Sequence, residues 1–238
     1  APAQQQVALL GGLSDAHPLR GFHAGNRDTL PVPQAEFQQA LHCFYQRYYQ
    51  TGQMTLSLAG PQSLDELRLL AEAFGKAIAK GEKVPQQAPV PLMAGTSNRY
   101  QQADEQRLDL LFALEALPDA SPEALGFLCH CLNTAKPGGL LAELRKQGRV
   151  ENLKARPLYQ FAGQALLHIE FTLPANSMAS GIGEQLQDWL GFFAQQDWRG
   201  LREEYAALRQ RQQQVSSALQ QVRQDSDARE AGLSQAGV

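Results

Sequence analysis

Five histidines and three cysteines are the side chains of this sequence best suited to bind a metal or to act as nucleophile and base. His17 and His23 fall in "HPLRGFHAGNRDTL" (residues 17–30), a stretch with a His-Pro start, a Gly-Asn pair and the apolar period of neither helix nor strand. Cys129, His130 and Cys131 set three ligand types side by side. Successive residues of a helix, however, point about 100° apart and cannot converge on one ion, so these read as buried or half-buried helix residues. His168, beside Glu170, falls on the polar side of an alternating strand pattern and is expected to be partly solvated. No two histidines stand three or four residues apart, and neither H-E-x-x-H nor the inverted H-x-x-E-H occurs. A G-x-S-x-G elbow, a glycine-rich phosphate loop and a C-x-x-C pair are also missing, and Glu36, Asp65, Glu66 and Glu143 are not spaced as an acid and base pair. Residue types and spacing therefore supply no catalytic residues and no metal ligands.

The elements that would position any site can be read from apolar periodicity. Phe37, Leu41, Phe44 and Tyr48 predict a core-facing helix over 34–50, and the alternation of Met54, Leu56 and Leu58 predicts a strand that Gly60-Pro61 stops. Ser63 and Glu66 form a capping box ahead of Leu67, Leu70, Phe74 and Ile78. The proline-rich stretch 81–98 reads as an exposed connection between domains. Beyond it, Leu108 to Leu114 alternate as a strand, Ser121-Pro122-Glu123 starts a helix, and "KPGG" turns into a short helix ending at Gly148. "VENLKA" reads as extended, and "QALLHIEFTL" as a strand with Ala165, Leu167, Ile169, Phe171 and Leu173 on one face. One helix then carries Ile182, Leu186, Trp189, Leu190 and Phe193, and a second runs from Leu201 to Val222 with a stripe expected to be core. The tail "DSDAREAGLSQAGV" is expected to fray.

At 238 residues and 43% hydrophobic content the chain can bury a sizeable core, and a net charge of −3 offers no footprint for nucleic acid. No apolar run approaches the roughly 18 residues of a membrane span, and the start lacks the basic and apolar regions of a signal peptide. Three cysteines suggest no disulfide framework. A soluble α+β protein with no nucleic-acid or membrane partner is expected, cytoplasmic or, as the alternative, periplasmic.

Three stretches resemble the pitrilysin and insulin-degrading-enzyme family of zinc metallopeptidases, the M16 family. The opening stretch is similar to "HP-x-S-K-F-x-x-G-N-x-x-T-L" through His17, Pro18, Phe22, Gly25, Asn26, Thr29 and Leu30, with Arg20-Gly21 in place of Ser-Lys. "FYQRYYQTGQMTLSLAGPQSLDEL" resembles the family's aromatic helix, strand and S-L-D-E-L helix, and "PGGLLAELRKQGRVENL" (137–153) resembles G-P-G-S-L-L-S-E-L-x-x-K-G-W-V-x-x-L. The Gln- and Ala-rich composition and "RPLYQFAGQALLHIEF" are most similar to the branch that serves pyrroloquinoline quinone (PQQ) biosynthesis.

The resemblance implies a fold of mainly antiparallel sheet packed on helices. Residues 1–82 would be the C-terminal part of a first M16 domain, 83–97 a linker and 98–238 most of a second. It implies that H-x-x-E-H and the zinc it holds lie upstream of Ala1, that the opening stretch is a shaped loop, and that the partners are a small peptide and the remaining domains of the same peptidase. A metal-free relative that only scaffolds or grips peptide is the alternative. Matching by position puts a substrate-binding exosite at His130, Leu153, Lys154 and Ala155, where Ala155-Arg156 replaces a Gly-Gly pair. Addition of a peptide strand to a sheet edge would be its physical basis, with Lys154 and Arg156 favouring acidic side chains.

Overall fold

The computed structural model describes residues 2–21, 25, 27–85, 88–92, 106–118 and 121–230. In chain order the elements are α1 (Pro2–Leu10), α2 (Ala35–Tyr48), α3 (Leu64–Ala77), β1 (Gln106–Leu114), α4 (Ser121–Asn133), α5 (Leu140–Lys146), β2 (Asn152–Phe161), β3 (Gln164–Leu173), α6 (Ile182–Ala194), α7 (Arg199–Val215) and α8 (Ala218–Glu230). They fall into two units, one of residues 1–21 and 89–212, the other of 22–88 and 213–238. The change at Ala88–Pro89 lies within the expected connection. The N-terminal end nevertheless falls in the first unit, where α1 and Leu13 pack under the sheet, and residues 213–238 fall in the second.

In the first unit an antiparallel sheet runs in the order β1-β3-β2. β2 and β3 close through Ala162 and Gly163 at φ +51° and +74°, the pair of positive angles whose twist suits a two-residue hairpin. The alternation in β3 sends Leu167, Ile169, Phe171 and Leu173 to one face, where they meet Leu132 of α4, Leu140, Leu141 and Leu144 of α5, and Ile182 and Leu186 of α6. Each such side chain contributes about 1.5–3 kcal/mol on burial, so this helix layer holds the sheet. On the opposite face Leu166 packs with Leu10 and Leu13, flanked by Leu19, Leu111, Leu158 and Tyr159. The expected proline-rich connection is tied down where it is described: Leu92 is buried, its N–H donates to Glu115 Oε1 at 2.8 Å, and its carbonyl accepts from Ser14 at 2.8 Å.

In the second unit the capping box at α3 forms as expected, with Ser63 Oγ accepting from the Glu66 N–H and Glu66 accepting from the Ser63 N–H. Two other expectations fail. Leu41 and Phe44 of α2 are exposed, although Phe37 and Tyr48 are half-buried, so this face is not core within the described residues. Residues 54–59 form no strand, and Met54, Leu56 and Leu58 are all exposed, because no described strand pairs with them.

The single final helix expected over 201–222 is two helices. Ser217 breaks it by capping α8: its Oγ accepts from the Gln220 N–H while Gln220 Oε1 accepts from the Ser217 N–H. The stripe is core only in part, since Tyr205 and Leu208 are half-buried but Val215 and Leu219 are exposed. Of the tail expected to fray, residues 225–230 continue α8 and 231–238 lie outside the described residues.

Candidate functional site

The opening loop is a shaped turn where it is described. His17 is buried, its Nδ1 accepts from the Leu19 N–H at 3.2 Å to cap a short 3-10 helix (Pro18–Arg20), and its ring meets Tyr159 edge-on with centroids 5.3 Å apart. Gly25 has φ +64°, a left-handed backbone that glycine adopts without a side-chain penalty, while His23 and Asn26 lie outside the described residues. Cys129 and Cys131 are buried free thiols on α4, and burial pushes the Cys129 thiol up to about 11, far from a reactive thiolate.

His168 departs from expectation. It is 1% exposed, and its Nε2 lies 2.8 Å from Asp109 Oδ1, across the β1-β3 ladder. The alternating pattern identified the face correctly but not its cover. Burial raises the Asp109 carboxyl, yet the hydrogen bond with His168 and the Arg107 charge prevail, leaving it below the usual carboxylate range. Asp109, His168 and Glu170 bring ligand atoms within 4.8 Å of one another, the one such grouping among the described residues. Arg107 lies against both carboxylates, at 3.2 Å from Asp109 and 3.5 Å from Glu170. A divalent cation would have to displace that guanidinium, so the trio fits an internal ion pair and not zinc.

Of the residues matched to an exosite, Leu153, Lys154 and Ala155 lie along β2, which pairs with β3 on one side and has no described strand on the other. Leu153 and Ala155 point into the helix-covered core, and Lys154 and Arg156 are exposed on the opposite face. Any contact from Leu153 or Ala155 to a peptide would thus be made by backbone. His130 is half-buried in the last turn of α4, with its ring 5.1 Å from that of Tyr205. One turn on, at the spacing that shares a helix face, stands Asn133, which the sequence reasoning did not single out. Its Nδ2 donates to the Ala155 carbonyl at 2.9 Å, and its Oδ1 accepts from the Ala155 N–H at 2.6 Å. Both polar groups of Ala155 therefore face away from β3. Lys154 and Arg156 stand opposite Glu170 and His168 in the ladder and turn theirs toward it. By the same alternation Leu153 presents its backbone outward beside Ala155. Pro157, at the next outward position, has no N–H, a residue that strands tolerate at an edge.

Residues 37–199 match the family described as peptidase M16 inactive domain. The chain is 55% identical to coenzyme PQQ synthesis protein F of Pseudomonas protegens, an alignment covering 100% of this chain and 29% of that protein. It is 53% identical to the protein of that name from Pseudomonas syringae pv. tomato, over 92% of this chain and 28% of the relative. The chain thus spans less than a third of the length of these relatives. Among solved structures its fold is similar to pitrilysin, with a TM-score of 0.73 and 19% identity over 97% of this chain and 26% of that one. It is also similar to a peptidase M16 inactive domain from Pseudomonas fluorescens, with a TM-score of 0.70 and 17% identity over 99% of this chain and 57% of that one.

Proposed function

The chain belongs to the M16 peptidase family, and we propose that it is a non-catalytic part of a zinc metalloendopeptidase that cleaves a small peptide, the peptide precursor in PQQ biosynthesis. The names of the relatives support the pathway, and the family supports peptide as the substrate class. Zinc in this reading is held by other residues of the same peptidase, since the one grouping described here is filled by Arg107. Residues 1–82 complete a first domain, 83–97 link, and 98–238 form most of a second.

The observation that carries a role for this part is the side of β2 that pairs with no described strand. An edge strand with outward N–H and C=O groups can take up an extended peptide by main-chain pairing, and Lys154 and Arg156 beside it favour acidic side chains. His130 stands at the end of α4 that meets this edge.

The test uses the complete protein and two forms of one substrate peptide, one natural and one N-methylated on alternate residues away from the scissile bond. N-methylation deletes the peptide's donors on one side without changing its side chains. An edge-paired substrate should show KM raised about tenfold or more with kcat little changed, from two or three lost hydrogen bonds of about 0.5–1.5 kcal/mol each. Equal KM values would remove β2 from the binding site. A complete protein that binds peptide but contains no zinc and cleaves nothing would establish the metal-free scaffold instead.

A further inference from the structure

The outer side of β2 is not uniformly open, because the Asn133 carboxamide occupies its pairing position at Ala155. That group is planar and offers one donor and one acceptor, as a backbone peptide unit does, and it meets both polar groups of Ala155 at 2.9 and 2.6 Å. Asn133 is the last residue of α4 and is exposed, so it can be turned out by a competitor. We infer that Asn133 is a displaceable guard of the β2 edge, standing where the main chain of an incoming acidic, extended peptide would pair. The inference rests on the reading of β2 as a peptide-binding edge.

The guard has two physical effects. In the free protein it satisfies a donor and an acceptor that would otherwise invite edge-to-edge association. Toward peptide it sets a threshold. Pairing at Ala155 only exchanges two hydrogen bonds for two others, so net affinity has to come from Leu153 and from the charges of Lys154 and Arg156. Short or poorly extended chains that reach Ala155 alone gain nothing.

The experiment uses the complete protein and its Asn133→Ala and Asn133→Leu variants, the second keeping the branched side-chain shape without its donor and acceptor. The probe is a fluorescein-labelled peptide of alternating Val and Glu, with an alternately N-methylated counterpart. Both variants should bind the parent peptide about tenfold tighter than the unsubstituted protein, the effect of no longer displacing two hydrogen bonds. The Ala155 amide should be protected from hydrogen exchange in the unsubstituted protein, exchange freely in the variants and become protected again with peptide.

Unchanged or weaker parent binding in folded variants, while N-methylation still weakens binding, would leave the edge as the site and overturn the guard. Equal binding of parent and N-methylated peptides in every form would sink the edge itself, and the guard with it. The side-chain NH2 resonances of Asn133 in the unsubstituted protein give a readout that needs no variant. They should move to the positions of a solvated carboxamide when peptide binds, and resonances that stay fixed at saturation would overturn the guard.

Discussion

Asp109 is the residue on which the polar face of the sheet depends. It accepts from or faces His168 at 2.8 Å and takes the Arg107 guanidinium at 3.2 Å, while His168 Nδ1 is buried with no partner among the described residues. Asp109→Ala would leave both ring nitrogens of a buried imidazole unpaired, and should cost about 2–3 kcal/mol in urea unfolding. Asp109→Asn, whose amide can still pair with the ring, should cost less. The sign of the pH effect follows from the lowered carboxyl. Its stabilisation is fully present above the unfolded value of about 3.9 and is lost as pH falls through the lower folded value. The gap between the unsubstituted protein and Asp109→Asn should therefore narrow in acid, and a gap that widened would refute this account. Neither this cluster nor Asn133 was legible in the sequence. Spacing put His168 on the right face but is silent about what lies over that face, and Asn133 meets Ala155, 22 residues on, only once α4 has packed on β2.

At the scale of elements, legibility followed how local the cause is. The capping box at Ser63, the helix start at Ser121 and the alternation of β3 are written in a few adjacent residues, and each appears where expected. Alternation at 54–58 states which side chains would share a face but cannot supply a partner strand. In α7 and α8 a continuous apolar stripe concealed the local Ser217 cap that ends one helix and begins the next. The connection shows both cases. Its composition marks an exposed segment, yet residues 90–92 are held by bonds from Gln164 and Ser14 and by one to Glu115. Limited digestion with a protease of broad specificity, such as proteinase K, should then cut first beside Lys83, which is exposed, and not within 90–92. Mass spectrometry of the first fragments tests this, and initial cleavage inside α3 or β3 would show that the connection is better protected than the units it joins.

At the scale of the whole molecule the two units are unlike in how they use their apolar residues. The first has a sheet with leucines on both faces, one covered by α4, α5 and α6 and the other by the end of α1 and Leu13. In the second, α2 and α3 are amphipathic, but Leu41, Phe44, Leu70 and Phe74 stay exposed, Phe44 at 55% and Leu70 at 54%, and Met54, Leu56 and Leu58 are exposed beside them in sequence. Apolar surface gathered in this way marks an interaction face, since a monomer in water rarely leaves more than a few hundred Å² of it contiguous. In a longer peptidase that cover would come from the rest of the first domain. The isolated 238-residue chain has to find it elsewhere, and should self-associate in sedimentation velocity as concentration rises and bind bis-ANS strongly. The double substitution Phe44→Asn and Leu70→Gln should shift it toward monomer and reduce dye binding, with helix content kept within a few per cent by circular dichroism, because exposed positions contribute little to folding, within about 0.5 kcal/mol each. A chain that stays monomeric and dark to the dye without these changes would mean the faces are covered within it. Loss of helix in the double variant would mean they are core, as the periodicity of α2 first suggests.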